Sequence, residues 1–262
     1  MSELKSMSSN GSSPATPNSP ERRRFIGAAT ATAAGLAIAP GVMLYEVAHG
    51  RSEEQAASGA VRWGMLVDAT KCATGCNDCV SACSTENGWT PVAESKHPRQ
   101  APQWIRKLEL QDPLTQMETN LPMMCQHCAE PPCVDVCPTG ASFKRADGIV
   151  LVDRHTCIGC RYCMMACPYK ARSFVHEPVS DQKPDVPRGK GCVESCTLCV
   201  HRIDRDQLPA CVEACAAAGH KAILFGDLND PASEISQRIA AVASRQLRAD
   251  LKLDTGVRYQ GI

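Results

Sequence analysis

The stretch that decides the fold is Cys157-Ile158-Gly159-Cys160-Arg161-Tyr162-Cys163-Met164-Met165-Ala166-Cys167-Pro168. Its cysteines are separated by two, two and three residues, and a proline follows the last of them. The two-residue gaps place three thiolates on one tight loop, where they can bind three iron corners of a cubane [4Fe–4S] cluster. Cys167 opens a short helix and points away, toward a second cluster, and Pro168 stops the chain from continuing regularly.

Three further groups of closely spaced cysteines flank this run. The first group is Cys72, Cys76, Cys79 and Cys83, the second is Cys125, Cys128, Cys133 and Cys137, and the fourth is Cys196, Cys199, Cys211 and Cys215. Together with the run above, they hold all but one of the seventeen cysteines in the 262-residue chain. Cysteines so close in sequence rarely pair with each other as disulfides, whereas they can face one metal centre. The pattern therefore favours metal ligation over a disulfide scaffold.

Other cysteine chemistries fit less well. Each CxxC pair also suits a zinc ribbon, but zinc ligation does not explain the spacing of the third group or the leader described below. A thioredoxin-like redox motif would place its CxxC in a βαβ unit, and the sequence around these pairs does not predict one. No CxxC is followed by His, so no c-type haem is predicted in this chain. Basic and acidic side chains are equal in number, 28 of each, so no basic excess favours nucleic-acid binding.

The spacing also predicts which cysteines share a cluster. Asp147-Gly148 between two short β-rich runs predicts a hairpin, so the second and third groups follow the ferredoxin order of loop, helix, hairpin, loop, helix. Crossing of the last cysteine of each group gives quartet C (Cys125, Cys128, Cys133, Cys167) and quartet D (Cys137, Cys157, Cys160, Cys163). The same crossing between the first and fourth groups gives quartet A (Cys72, Cys76, Cys79, Cys215) and quartet B (Cys83, Cys196, Cys199, Cys211).

The predicted fold class is α+β, with two nested 2[4Fe–4S] ferredoxin-like units. The four-cluster domain is expected at residues 61–226, with a β-rich insert at about 86–124 that includes an alternating strand from Ile105 to Leu110. Residues 227–262 are predicted to form a C-terminal docking extension that contains a helix capped by Ser233. Such a tail could dock a partner or merely close the domain.

The segment from residue 1 to about residue 50 has the layout of an export signal. Arg22-Arg23 precedes Phe25-Ile26 and a weakly apolar run that Pro40 interrupts. A positive region before a modest apolar one is typical of signal peptides, and paired arginines mark the twin-arginine route for folded proteins. That route suits clusters inserted before export, so we expect a periplasmic, membrane-associated protein. The leader is either cleaved or kept as an anchor, and a chance basic cluster before a buried helix is the alternative.

Several residues near the predicted ligands have open roles. Cys192 is left over, and it is either a free thiol or a replacement ligand in the fourth group. His127 is expected to donate a hydrogen bond near sulfur rather than to ligate iron. Arg161 and Arg172 either offset the charge of a cluster or lie solvated on the surface.

From about Val61 to the C-terminus, the chain resembles the four-cluster iron–sulfur subunits of bacterial respiratory complexes. The segments that carry this resemblance are Cys196-Thr-Leu-Cys199-Val-His-Arg202, Leu208-Pro-Ala-Cys211-Val-Glu-Ala-Cys215 and Phe225-Gly-Asp-Leu-Asn-Asp-Pro231. Lys71 to Gly88 and the twin-arginine leader are most similar to the periplasmic subunit of the Dsr membrane complexes of sulfur-metabolising prokaryotes. Ala216 departs from the pattern, which usually has Pro after its last cysteine.

The resemblance implies an electron-transfer subunit with four [4Fe–4S] clusters and no bond-making site of its own, so the chain alone is not expected to be an enzyme. The implied partners are an NrfD-like, quinone-interacting membrane subunit (DsrP-like), a multihaem cytochrome c (DsrJ-like) and DsrMK-like subunits. The alternative is the electron-transfer beta subunit of a periplasmic molybdopterin reductase acting on polysulfide, thiosulfate or tetrathionate. A zinc-stapled interaction module is a third possibility.

Overall fold

The computed structural model describes residues 57–262, and the predicted leader lies outside the described residues. This region mixes short helices with short strands, as expected for a ferredoxin-like α+β fold. Its longest helix has ten residues. Within residues 57–262, no helix combines the length and the apolar character that crossing a bilayer requires.

The helices and strands alternate along the described region. The α-helices are α1 (Asp78–Asn87), α2 (Pro132–Asp135), α3 (Tyr162–Ala166), α4 (Val200–Ile203), α5 (Ala210–Ala217) and α6 (Glu234–Ala241). The strands are β1 (Trp63–Asp68), β2 (Ile105–Gln111), β3 (Glu118–Met124), β4 (Ser142–Lys144), β5 (Val150–Val152), β6 (Arg172–Phe174), β7 (Val193–Ser195), β8 (Ile223–Asp227), β9 (Ser244–Arg245) and β10 (Val257–Gln260).

One sheet joins the two ends of the described region. Its strand order is β8-β1-β10-β9, with β1 antiparallel to β8 and parallel to β10. The run Met65–Asp68 of β1 is buried on both faces, which is typical of a strand covered from two sides. The predicted C-terminal extension therefore supplies α6, β9 and β10, and β10 lies inside the sheet. Ser233 caps α6 as predicted, because its hydroxyl accepts a hydrogen bond from the Ser236 amide at 3.3 Å.

Three two-stranded hairpins carry the loops between the cysteine groups. They pair β2 with β3, β4 with β5 and β6 with β7, each antiparallel. The hairpin predicted at Asp147-Gly148 is the one that joins β4 to β5, and Gly148 adopts a positive φ of 85° in its turn. Strand β2 covers the alternating stretch predicted from Ile105, within the expected insert. Residues 86–104 contain no strand.

The core combines a few large side chains with many cysteines. Met65, Trp104, Met124 and Tyr259 are each at most 1% exposed. The Tyr259 hydroxyl donates a hydrogen bond to a proline carbonyl at the end of β3 and accepts one from the buried Gln126 amide, both at 3.1 Å. These bonds fasten the C-terminal strand to the segment that leads into the second cysteine group.

Candidate metal centres

The predicted ligands come together in the four quartets defined above. Each of quartets A, B and D lines one small cavity that its four cysteines share, and the three cavities are similar in size, as expected for cofactors of one kind. In quartet C, burial and the neighbouring sulfurs of Cys125, Cys133 and Cys167 raise the pKa of Cys128 to about 12. The structure thus gathers all sixteen predicted ligands, while their bonding to iron stays a prediction.

Helices α1 and α5 each carry ligands of two quartets. Cys79 and Cys83 lie one turn apart on α1, and Cys211 and Cys215 lie one turn apart on α5. Four residues along a helix put both side chains on one face with a rise of about 6 Å. Because α1 and α5 pack together, their C-x3-C pairs hold quartets A and B side by side.

Helices α2 and α3 repeat this arrangement for the other two quartets. Cys133 on α2 belongs to quartet C, and Cys137, just past its end, belongs to quartet D. Cys163 on α3 belongs to quartet D, and Cys167 at its C-terminus belongs to quartet C. The described chain therefore contains two helix pairs, and each pair spans two neighbouring quartets.

A shared backbone turn shapes the four ligand loops. The residue just before the second cysteine of each group has a positive φ: 75° at Gly75, 42° at His127, 70° at Gly159 and 54° at Leu198. Such values turn the loop sharply so that successive cysteines face inward. The first group has three residues between its first two cysteines where the other groups have two, and Gly75 occupies the same turn position as in those groups. The extra residue lies before it, among Ala73 and Thr74.

The spread of the sulfur atoms separates a cluster from a single zinc ion. In a tetrahedral zinc site with bonds of about 2.3 Å, the four sulfurs lie about 3.8 Å apart. Within residues 57–262, no three cysteine sulfurs lie within 4.8 Å of one another. The quartets are thus wider than a mononuclear zinc site with four cysteine ligands and fit a larger, polynuclear centre.

The charge state of the thiols gives a second test of fit. Burial, followed by repulsion from neighbouring sulfurs, raises the pKa of Cys79 and of Cys125 to about 12. Metal ligation needs thiolates, so these sites require a cationic partner that stabilises the deprotonated sulfurs. The iron of a [4Fe–4S] cluster would meet this requirement, and such a cluster supplies one-electron redox chemistry when bound.

Backbone and side-chain donors surround the ligand sulfurs. The Ser142 amide donates to Cys137 at 3.3 Å, and the Ala222 amide donates to Cys215 at 3.2 Å, in each case at the entry to a strand. The Asn87 side chain donates to Cys83 at 3.5 Å. Sequence reasoning missed Asn87, although its place four residues after a ligand on α1 was an available signal. Hydrogen bonds of this type tune reduction potentials.

The structure gives positions to His127 and Cys192, whose roles the sequence left open. The Val150 amide donates to His127 Nδ1 at 3.0 Å, and burial lowers the pKa of this histidine to about 3. The ring is therefore neutral with its proton on Nε2, which agrees with a donor role and not with ligation.

Cys192 lies beside Cys157 of quartet D and contacts the Arg154 carbonyl at 3.3 Å. Quartet B in the fourth group is complete without it.

Paired sulfur-only centres on short helices, joined by hairpins, define an iron–sulfur protein with a ferredoxin-like fold. Residues 117–227 match a family model described as a 4Fe-4S dicluster domain, and residues 70–141 match a second model with the same description. The Hdr-like menaquinol oxidoreductase iron-sulfur subunit 1 of Archaeoglobus fulgidus is 42% identical over 91% of this chain and 97% of the relative.

Two further relatives are subunits of reductases. The B subunit of the tetrathionate reductase of Salmonella typhimurium is 40% identical over 67% of this chain and 62% of the relative. The iron-sulfur cluster-binding subunit of the menaquinone reductase of Nitratidesulfovibrio vulgaris is 34% identical over 76% of this chain and 88% of the relative. The chain belongs to this family of 4Fe-4S dicluster proteins, and it is an iron–sulfur electron-transfer subunit.

Proposed function

We propose that this chain is the four-cluster electron relay of a membrane-bound respiratory complex of sulfur metabolism, as DsrO is in the Dsr complex. In this proposal it passes single electrons between a quinone-interacting, NrfD-like (DsrP-like) membrane subunit and a periplasmic, DsrJ-like multihaem cytochrome c. DsrMK-like subunits complete the complex. The observation that carries the proposal is the match to a menaquinol oxidoreductase iron-sulfur subunit over 91% of this chain.

The placement of the quartets supports a linear relay. The sulfur of Cys79 in quartet A acts electrostatically on Cys211 in quartet B, and Cys163 in quartet D acts on Cys133 in quartet C. Met124 lines the cavity of quartet B and directly precedes Cys125 of quartet C. In this proposal the four clusters follow the order A, B, C, D. Nested ferredoxin-like units produce this order, because the outer unit holds A and B and the inner unit holds C and D.

Exposure of the ligands supports A and D as the two ends. All eight cysteines of quartets B and C are buried. In contrast, Cys72 and Cys76 of quartet A are partly exposed, as are Cys137 and Cys157 of quartet D, whose Cys160 is exposed. Electrons exchanged with partners would pass through A and D, while the buried inner pair is kept from solvent. In this proposal the chain's own residues bind, space and insulate the clusters.

The test is anaerobic purification of the native complex with its partners. We expect about sixteen irons per chain, electron paramagnetic resonance signals on reduction, and reduction of the clusters by a menaquinol analogue. Zinc near stoichiometry, or no iron-dependent signal, would overturn the proposal. Failure of menaquinol to reduce the clusters in an iron-replete complex would overturn the quinone assignment alone.

A second candidate is the beta subunit of a molybdopterin reductase, favoured by the similarity to the tetrathionate reductase component. That match covers only 67% of this chain. The purified complex separates the candidates, because bound haem supports the first and bound molybdenum supports the second.

Periplasmic export is part of the same proposal and depends on Arg22-Arg23. The twin-arginine route does not tolerate loss of the pair, so replacing both arginines with lysine should retain the protein in the cytoplasm. Cell fractionation with an antibody to the chain measures this. Unchanged periplasmic recovery of the double variant would contradict the assignment.

A further inference from the structure

Arg172 is a buried cation that lies beside ligands of two different quartets. It begins β6, and its side chain enters the interior, where the residue is only 5% exposed. Its Nη2 donates to Cys133 Sγ of quartet C at 3.1 Å. The same guanidinium lies close enough to Cys163 of quartet D to interact electrostatically with its sulfur. One buried cation therefore lies beside both members of the inner ferredoxin-like unit.

The charge of Arg172 is compensated by sulfur. Among the ion pairs of residues 57–262, none includes this guanidinium. Its one hydrogen-bond acceptor among residues 57–262 is the sulfur of Cys133. A buried cation without a carboxylate is costly unless another anion faces it. Cysteine-ligated clusters are anionic and become more so on reduction, so they provide the missing counter-charge.

The unpaired donors of Arg172 also indicate a cluster at quartet C. Its Nε and Nη1 are buried and have no hydrogen-bond partner among the described residues. The buried Nε2 of His127, whose neighbours include Arg172, is unpaired as well. Buried donors normally find an acceptor, and the sulfur atoms of a cluster at quartet C are acceptors of suitable chemistry.

We propose that Arg172 is a shared electrostatic element that raises the reduction potentials of the clusters at quartets C and D together. This inference deepens the proposed function and depends on its cluster assignment. A fixed positive charge and N–H···S bonds favour the reduced, more negative state of each cluster, so both potentials rise. The step it serves moves one electron from one cluster to the other, with no bond broken and no proton transferred. A cation beside both anionic centres would shift the two reduction potentials in the same direction.

Arg161 provides a matched control for charge removal. It also lies beside quartet D, but it is exposed, and its guanidinium rests over the Phe174 ring at 4.0 Å from the centroid. Solvent screens its effect on the cluster. Arg161→Gln should therefore change potentials far less than Arg172→Gln, while Arg172→Lys, which keeps the charge, should recover most of the loss.

The experiment is a redox titration of the native complex, followed by electron paramagnetic resonance, for wild type and the three variants at equal iron content. For Arg172→Gln we expect two of the four midpoint potentials to fall by at least about 59 mV each. At a fixed solution potential, a shift of about 59 mV changes the ratio of reduced to oxidised cluster tenfold. The other two midpoint potentials should stay unchanged. Equal shifts in Arg161→Gln, or no shift in any midpoint, would overturn the inference. Wild type without four iron-based signals would instead defeat the proposed function, so the two failures are distinguishable.

Discussion

Gly159→Ala is expected to remove the cluster at quartet D selectively. Gly159 precedes the ligand Cys160 and has a φ of 70°, which costs an L-residue about 1–2 kcal/mol. A Cβ at this position would also lie 2.2 Å from the Gly191 carbonyl oxygen and 3.1 Å from the Phe174 ring. Relief of that overlap needs about 1 Å of backbone movement, which adds about 1–3 kcal/mol. Ligand constellations tolerate displacements of about 0.5 Å.

Gly140 supplies the control for Gly159. It lies close to Cys137 of the same quartet and has nearly the same φ, 69°, but nothing lies within 4 Å of its added Cβ. Gly140→Ala should therefore cost only the backbone strain and keep its iron. Iron and sulfide analysis should show a loss of about four irons in Gly159→Ala, with earlier bleaching of the visible absorbance in urea. Equal iron and equal urea midpoints in the two variants would refute the steric reasoning.

Three smaller predictions concern groups around the quartets. Glu194→Gln should destabilise the fold by about 3–5 kcal/mol in urea, because its side chain is 0% exposed and pairs with Arg188 at 2.7 Å. Cys192→Ser should keep its full iron content, because this thiol lies beside Cys157 and outside the quartets. Tyr259→Phe should cost about 1–3 kcal/mol, since its buried hydroxyl makes two hydrogen bonds at 3.1 Å.

Each of these predictions has a matched control within the chain. Asp250→Asn breaks an exposed ion pair with Arg248 and should leave the urea midpoint unchanged. If it lowered stability as much as Glu194→Gln, burial would not be the reason for the effect at Glu194. Cys163→Ser removes a predicted ligand and should lose iron, whereas iron loss in the Cys192 variant would mean that Cys192 is itself a ligand. Tyr169→Phe removes one hydrogen bond, to the Leu247 carbonyl at 3.1 Å, and should cost about half as much as the change at Tyr259.

The ligand groups could be predicted because they depend on local spacing in the sequence. The positions of Arg172 and Cys192 could not, because they depend on pairing between strands. The C-x3-C pairs imply one helical face for Cys79 and Cys83, and the Asp147-Gly148 turn implies the β4–β5 hairpin. Both follow from contacts within a few residues. In contrast, the placement of Arg172 depends on the pairing of β6 with β7, so the sequence left open whether this cation was buried or solvated. The position of Cys192 beside Cys157 has the same origin.

The sheet explains how two cysteine groups that are distant in sequence come together in quartets A and B. Quartets A and B combine residues near position 80 with residues near position 210, so the ends of the outer unit must be held together. Strand β1 leads into the first group, and β8 follows the last ligand of the fourth group. Their antiparallel register, from Trp63 opposite Asp227 to Val67 opposite Ile223, therefore fixes Cys72 and Cys215 at one end of the sheet. Strand β10 then covers the free edge of β1, which would otherwise expose unpaired backbone groups. The C-terminal tail thus has a structural role in closing the outer unit, whatever its surface contacts with a partner.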